Sequence, residues 1–502
     1  MTQNEYVLNE ECLDPQEWES MQALGYRMVD DMLEYLRTVR ERPPWQHAPD
    51  EVKAHFEGPI PLEPQAPDQV YQEFVDYVLP YAIGNIHPRF WGWVFGTGTV
   101  MGGFAEFLTG MMNTNSGDFD HHSAIHVETQ VVDWLKEMLD YPATASGTLT
   151  SGCSAANLMG LAVARNAKAG FDVRSQGMRA GSRDMLLYAS AEIHSSIRKA
   201  VQLLGLGDEA IRRVPVDDQF RIDLEALQAS IAADRRAGSQ PFCVVGAAGT
   251  VNTGAFDDLA ALADTCRRED LWLHVDAAFG AWAKLVPSVN HMVNGMERAD
   301  SIAFDLHKWM YMPYEVGCVL VRDEEQHRKA FSLTAEYISK SGDGRGMSSG
   351  VIPWFTDYDF QLSRRFRSLK IWMSLKEHGL NKYARLIQQN IEQAKYLGEL
   401  VDAAPELELC APVRLNVVCF RYVRPGLDGQ ALDALNEEIL IELQEQGIAV
   451  PSGTTINGKY VLRVGHTNHR TKREDFDLLV REVIRRGDEL VNTASVTGDI
   501  QP

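Results

Sequence analysis

Short apolar runs alternate with amphipathic segments through the middle of the chain, and this alternation predicts a mostly parallel sheet covered by helices on both faces. The predicted strands are 185–189, 242–247, 271–275, 301–304 and 317–321, with helices predicted from Ser195 and from Asp257. Nearer the N-terminus, apolar residues at three- and four-residue spacing predict an amphipathic helix over 14–42, which ends before Pro43 and Pro44.

The remaining patterns predict how the chain divides into domains. Helical periodicity over 369–403 is followed by predicted strands at 417–422 and 460–464, with a helix through Leu443 between them, which indicates a small α+β domain. The predicted parts are an N-terminal helical segment 1–86, a large domain 87–378, a small C-terminal domain 379–490 and a disordered tail 491–502. The apolar, glycine-rich run 90–105 is shorter than the roughly 20 residues of a membrane span, so we predict a buried loop that lines a pocket.

Composition excludes several classes of function. With 70 acidic against 48 basic residues the formal charge is -22, which disfavours nucleic acid and anionic membranes as partners. Seven cysteines stand singly, so neither a disulfide framework nor a zinc ribbon is indicated.

The N-terminus shows no secretory signal pattern, and a cytoplasmic location is expected. His122 and His126 form an i, i+4 pair without the glutamate of HExxH, so no metal site is expected.

Two of the predicted strands end in residues that carry chemistry. The run 271–275 ends on Asp276, and the run 301–304 delivers Asp305, His307 and Lys308. Because open parallel sheets bind ligands outside the carboxyl ends of their strands, Asp276 and Lys308 can meet one ligand. Taken alone, the aspartate could be a helix cap and the lysine a surface charge, but the Trp and Met that follow the lysine are a poor context for a surface charge.

The pairing of these two residues points to pyridoxal phosphate. This coenzyme needs a lysine that forms a Schiff base and an acid that keeps the pyridine ring protonated. Ala278 is small enough to lie flat beneath such a ring. Thr250 follows the predicted strand 242–247, where we expect it to contact the edge of the ring. The polar turn 148–157 opens onto a predicted helix whose first N–H groups can cradle a phosphate, although an ordinary serine N-cap is the alternative.

The motifs His-Val-Asp-Ala-Ala and His-Lys-Trp resemble those of the group II pyridoxal-phosphate decarboxylases of fold type I, and among these they are most similar to the aromatic-L-amino-acid decarboxylases. The segments 87–93 and 357–372 extend the resemblance over most of the chain. It implies a fold-type I transferase-like α/β architecture, with the coenzyme phosphate on Gly152, Cys153 and Ser154. It also implies that His194 stacks on the ring opposite Ala278.

The same resemblance implies a substrate pocket for a flat side chain, with core packing as the alternative for its aromatic members. The candidate pocket residues are His87, Phe90, Trp91, Trp93, His121, Trp354 and Ser363. Arg463 matches a family arginine, and a structural ion pair and a substrate role both remain open for it.

Tyr337 precedes the glycine-rich stretch 340–350, which is typical of a lid. In the resembled family a tyrosine on this loop reaches the partner's active site and returns a proton to the substrate carbon, so we expect a homodimer with shared sites. We expect decarboxylation of an aromatic L-amino acid. The alternatives are a glutamate- or histidine-type decarboxylase, an aromatic aldehyde synthase, and a protein that binds the coenzyme without turnover.

Overall fold

A computed structural model describes residues 11–118, 121–181, 183–333 and 354–497. The strands it describes are β1 Ser146–Thr150, β2 Met185–Ser190, β3 Ile211–Val214, β4 Gln240–Ala247, β5 Trp272–Asp276, β6 Ser301–Asp305, β7 Gly317–Val321, β8 Leu407–Leu409, β9 Val417–Tyr422, β10 Ser452–Ile456 and β11 Lys459–Gly465. The helices are α1 Trp18–Arg37, α2 Asp50–His55, α3 Pro67–Glu73, α4 Val100–Met112, α5 Ser123–Met138, α6 Cys153–Lys168, α7 Val173–Gln176, α8 Ser195–Leu203, α9 Leu224–Arg236, α10 Leu259–Arg268, α11 Glu324–Phe331, α12 Ser368–His378, α13 Leu380–Ala403, α14 Gly429–Glu445 and α15 Arg473–Thr497.

The larger sheet confirms the predicted α/β class. Its order is β1-β7-β6-β5-β4-β2-β3, with β3, β2, β4, β5 and β6 parallel and with β7 antiparallel to both β6 and β1. Strands β1, β2, β5, β6 and β7 are buried along their whole length, and burial explains the mostly apolar sequences of all of them except the polar β1. The carboxyl ends of β4, β5 and β6 therefore open at one edge of the sheet.

A second sheet, β10-β11-β9-β8, is antiparallel and packs against α13, α14 and α15. Its core is a separate cluster that includes Phe420, Tyr422 and Phe476, and this agrees with the expected small α+β unit. Helix α15 continues to Thr497, so the tail predicted from 491 is helical at least that far.

The prediction of a buried loop over the whole apolar run 90–105 is wrong in its second part. The chain is a loop only as far as Thr99, whose side chain accepts a hydrogen bond from the Gly102 N–H and caps α4. Apolar composition concealed this helix, because its fully buried residues are the small Gly102 and Ala105 while large apolar side chains such as Met111 are exposed. Among the described helices, none combines the length and the apolar character needed to cross a bilayer.

Candidate active site

A cavity of about 360 Å³ lies at the edge of the sheet where β4, β5 and β6 end. Five of the predicted coenzyme residues line it: His194, Thr250, Asp276, Ala278 and Lys308. Its other lining residues are Ile83, Trp93, Val94, Phe95, Glu192, Ala247, Gly249, Val251 and Phe279. A larger cavity, about 690 Å³, lies near the start of β5 and contains none of the predicted site residues.

Asp276 is held by groups that fix both of its carboxylate oxygens. Its Oδ1 accepts hydrogen bonds from the Ala278 N–H at 3.2 Å and from the Cys153 thiol at 3.5 Å, while Oδ2 accepts one from Asn157 Nδ2 at 3.0 Å. The aspartate is 9% exposed, and its environment aims a fixed negative charge into the cavity. Such a charge suits a protonated ring nitrogen.

A chain of hydrogen bonds supports this carboxylate from behind. Trp272 Nε1 donates to Ser301 Oγ at 2.8 Å, and that hydroxyl lies 2.8 Å from His274 Nδ1. His274 Nε2 lies 2.9 Å from Asn157 Oδ1, and these partners assign the proton to Nε2. Burial lowers the pKa of His274 to about 4, so the ring is neutral and orients Asn157 toward Asp276.

Lys308 is joined to the phosphate-binding turn through Asp305. The Lys308 Nζ lies 3.0 Å from Asp305 Oδ2, and Asp305 Oδ1 accepts the Cys153 N–H at 2.6 Å. Burial by itself lowers the pKa of Lys308, but Asp305, Cys153 and Asp276 outweigh it and raise that pKa above its ordinary value. Asp305 therefore favours the charged form of the amine.

The turn before α6 has the form of an anion cradle. Gly152 has φ +140°, a conformation that side-chain-bearing residues rarely adopt, and it caps α6, whose first N–H, that of Cys153, donates to Asp305 Oδ1. His307 Nδ1 accepts the Val316 N–H at 3.2 Å, and its Nε2 lies 3.6 Å from Asp305. Ser154 is exposed on the first turn of the helix.

His194 caps α8 and also faces the cavity. Its Nδ1 accepts the Ser196 N–H at 3.2 Å, which leaves Nε2 to carry the proton. Although the ring is exposed to the cavity, the surrounding protein desolvates it and lowers its pKa despite the opposing effect of Asp276. Thr250 is 2% exposed, and its hydroxyl accepts the Ala255 N–H at 3.1 Å.

The candidate substrate residues do not all reach this cavity. Trp93 lines it, and Phe90 lies behind it, with its ring 6.2 Å from that of Trp93. Trp91 is 1% exposed and stacks on Phe476 at 4.8 Å, so it belongs to the core of the small domain. His87 is buried beside a separate cavity under the N-terminal segment, where desolvation lowers its pKa to about 4. The prediction that these last two residues line the pocket is therefore corrected.

Three further pocket candidates also lie away from this cavity. His121 and Ser363 are exposed elsewhere on the surface, and Trp354 is 3% exposed beside Asp357. Tyr337 and the glycine-rich stretch 340–350 lie outside the described residues.

Sequence reasoning missed Asn157, His274 and Glu192. A signal existed for two of them. His274 and Asp276 are two residues apart in β5, so their side chains lie on the same face of the sheet. Asn157 lies one helical turn after Cys153 and therefore on the same side of α6. The contact between Glu192 and Asn252, at 2.9 Å, joins distant segments and leaves no local pattern.

The doubly covered sheet and the Lys–Asp pair at its edge define a protein of the fold-type I pyridoxal-phosphate class. A family model described as the pyridoxal-dependent decarboxylase conserved domain matches residues 49–423. An aromatic-L-amino-acid decarboxylase of Bacillus atrophaeus is 32% identical over 475 residues, covering 94% of this chain and 96% of that protein. A histidine decarboxylase of Rattus norvegicus is 30% identical, covering 98% of this chain and 74% of that protein. The structure of Oryza sativa TDC with PLP and tryptamine superposes with a TM-score of 0.87 at 25% identity, covering 95% and 100% of the two chains.

The chain belongs to the pyridoxal-dependent decarboxylase family. It is a pyridoxal-phosphate-dependent amino-acid decarboxylase, as the resemblance of its His-Val-Asp-Ala-Ala and His-Lys-Trp motifs implied. The described residues fit this coenzyme, because the Lys308 amine and the fixed Asp276 carboxylate line one cavity and Asp305 joins that amine to the turn at Gly152.

Proposed function

We propose that the enzyme converts an aromatic L-amino acid to its amine and carbon dioxide, with tyrosine, DOPA, phenylalanine, tryptophan and 5-hydroxytryptophan as the candidate substrates. The observation that carries this proposal is the aromatic wall of the cavity, which is formed by Trp93, Phe95 and Phe279. Among the described lining residues Lys308 is the only cation, so an acidic substrate side chain would lack a partner there.

In this proposal the residues in and beside the cavity have different roles. Bound pyridoxal phosphate supplies the electron sink for the pair of electrons that remains when carbon dioxide leaves. Lys308 would bind the coenzyme covalently, and Asp276 would hold the proton at the ring nitrogen. Gly152, Cys153 and Ser154 would bind the phosphate, Asp305 and His307 would support that turn, and Thr250 would contact the ring.

His194 and Ala278 would lie on opposite faces of the coenzyme ring. In this proposal His194 Nε2–H would donate a hydrogen bond toward the substrate, because Nδ1 already accepts the Ser196 N–H. Tyr337 is the proposed acid that returns a proton to the substrate carbon. Tyr337→Phe tests that role, since it should lower amine formation and raise aldehyde and ammonia formation.

Glu192 favours a second candidate, a histidine-type decarboxylase. Its Oε2 accepts a hydrogen bond from Asn252 Nδ2 at 2.9 Å, and the carboxylate lines the cavity. A carboxylate in that wall can accept an N–H from imidazole as well as from indole, or an O–H from a phenol. The similarity to a histidine decarboxylase supports the same candidate.

An amino-acid panel separates the candidates. The purified enzyme is incubated with each aromatic amino acid, with histidine and with glutamate, and the amines are measured by mass spectrometry alongside peroxide and ammonia. We expect aromatic amines without peroxide, and no product from Lys308→Ala. Histamine as the main product would favour the second candidate, and aldehyde with peroxide would favour an aldehyde synthase.

We also propose that the enzyme is a homodimer whose partner covers α1 and α4. Large apolar side chains are exposed on both helices, among them Trp18 at 63%, Phe107 at 53% and Met111 at 74%. Light scattering on the purified protein should give twice the chain mass, and Met111→Lys combined with Phe107→Glu should shift it toward the monomer. A monomeric wild-type protein would contradict this proposal.

Two further proposals concern organisation and location. We propose that 1–86, 87–378 and 379–490 act as an N-terminal dimerisation segment, a coenzyme-binding domain and a small C-terminal domain. We also propose a cytoplasmic location, which cell fractionation tests directly.

A further inference from the structure

The loop that presents Trp93 to the cavity takes its hydrogen bonds from the small domain. Every second carbonyl from Arg89 to Thr97 accepts a donor from that domain, as in the edge of a strand. The first two are bonded by backbone groups, with the Val450 N–H on Arg89 O and the Gly465 N–H on Trp91 O, both at 2.9 Å.

Beyond that point side chains replace the backbone donors. Arg463 Nη1 donates to Trp93 O at 2.6 Å, and Thr467 Oγ1 donates to Phe95 O at 2.8 Å. Arg470 Nη1 then donates to Thr97 O at 3.1 Å. We call the side chains of Arg463, Thr467 and Arg470 the carbonyl clamp.

The conformation that the clamp holds is a strained one. Trp93 has φ +56°, a left-handed backbone conformation that is unfavourable for a residue with a side chain. Both backbone polar groups of Trp93 are hydrogen-bonded to the small domain: its carbonyl accepts from Arg463, and its N–H donates to Ser452 Oγ at 3.2 Å. The indole is thereby left 51% exposed at the cavity.

The two arginines of the clamp are unusual in their surroundings. Within the described part of the chain neither has a carboxylate at ion-pair distance, and Arg463 is only 3% exposed. Burial lowers the pKa of Arg463 and brings that of Arg470 to about 10. A buried cation that donates to neutral carbonyls is costly for stability, so its value lies in the loop conformation that it fixes.

The loop also bears on the lysine. A Cβ at Gly96 would come within 1.7 Å of His307 O, so the loop packs directly against the backbone beside Lys308. A shift of the loop therefore changes the wall of the cavity that Lys308 also lines.

We propose that the carbonyl clamp, without touching substrate, positions Trp93 and Phe95 and so makes the small domain a determinant of substrate specificity. Arg463, Thr467 and Arg470 are positioning residues in this account. The proposal rests on the proposed function only in taking the cavity as the place where the substrate side chain binds.

The test uses the full-length holoenzyme with Thr467→Val, which removes one donor at little change of shape, and with Arg463→Met. Thr467→Ser restores the hydroxyl, and Thr455→Val is the matched control because Thr455 is exposed on the adjacent strand β10. Loss of one buried hydrogen bond predicts about five- to tenfold higher KM for the preferred amino acid, with kcat changed less than about twofold. Thr467→Ser and Thr455→Val should stay near wild type.

Hydrogen–deuterium exchange of peptides covering 91–99 gives a readout independent of activity. We expect exchange about tenfold faster in Thr467→Val and in Arg463→Met, and unchanged visible absorbance of the bound coenzyme. Wild-type exchange rates in both variants, or faster exchange with unchanged KM, would overturn the proposal. If Thr467→Val does not fold, Arg463→Met decides the question by the same measurements. A wild-type enzyme that makes no aromatic amine would defeat the proposed function and leave the exchange test intact.

Discussion

Replacing Asp305 by asparagine should speed the capture of pyridoxal phosphate by the protein stripped of its coenzyme. Lys308 can bond an aldehyde only as the neutral amine, and the Asp305 carboxylate, 3.0 Å from its Nζ, stabilises the charged form. The same carboxylate accepts the first N–H of α6, at the cradle that receives the phosphate. Asparagine Oδ1 can still accept that N–H, so Asp305→Asn removes the charge and keeps the hydrogen bond.

The distance sets the size of the effect. Two unit charges 3.0 Å apart attract by about 5 kcal/mol at an effective dielectric constant near 20. Desolvation of both groups offsets much of this, and a net of about 1.5–3 kcal/mol is typical of a hydrogen bond to a charged group. We therefore expect capture at neutral pH to be about ten- to hundredfold faster in Asp305→Asn.

The assay follows visible absorbance in a stopped-flow mixer over a range of pH. Because Asp305 raises the pKa of Lys308, the rate for the wild-type protein should climb at higher pH than the rate for the variant, and the two should converge in strong base. Asp270→Asn is the matched control, since Asp270 pairs with Lys168 at 2.7 Å and lies just before the N-terminal end of β5, whereas the site lies at its carboxyl end. Equal or slower capture by Asp305→Asn would refute this reasoning.

Three other predictions follow from the buried polar groups. Asn157→Leu should lower kcat about ten- to hundredfold with the coenzyme still bound, because Asp276 loses a donor; a kcat within threefold of wild type would contradict this. Arg364 and Glu128 form a fully buried ion pair, so Arg364→Met should lower the free energy of unfolding, measured in urea, by about 3–5 kcal/mol. Adding Glu128→Gln to that variant should restore part of the lost stability. A loss below about 1 kcal/mol in Arg364→Met would contradict this prediction. Burial lowers the pKa of His327 from 6.5 to about 3, so stability should fall as pH drops through that interval, and His327→Gln should fall less steeply.

The centre of the site was predictable because its residues follow local patterns. Two short apolar runs end on Asp276 and just before Lys308, and the rule that parallel strands open at one edge brings them together. The turn before α6 and His194 at the start of α8 likewise carry their signals within a few residues.

The rest depends on contacts between distant segments. The bond from Arg463 to Trp93 O joins residues 370 positions apart, and a carbonyl acceptor has no residue type that a sequence could show. Trp91 resembles Trp93 in sequence, yet Trp91 packs in the small domain and Trp93 faces the cavity, where its backbone has a positive φ. Helix α4 was missed since its exposed apolar face obscures the helical pattern.

The central claim is that Lys308 carries the coenzyme opposite the Asp276 carboxylate. Borohydride reduction of the purified enzyme, followed by digestion and mass spectrometry, tests it most directly. We predict one pyridoxyl-phosphate adduct, located on Lys308 and lost in Lys308→Ala. An adduct on another lysine, or no adduct on a protein that retains activity, would contradict the account.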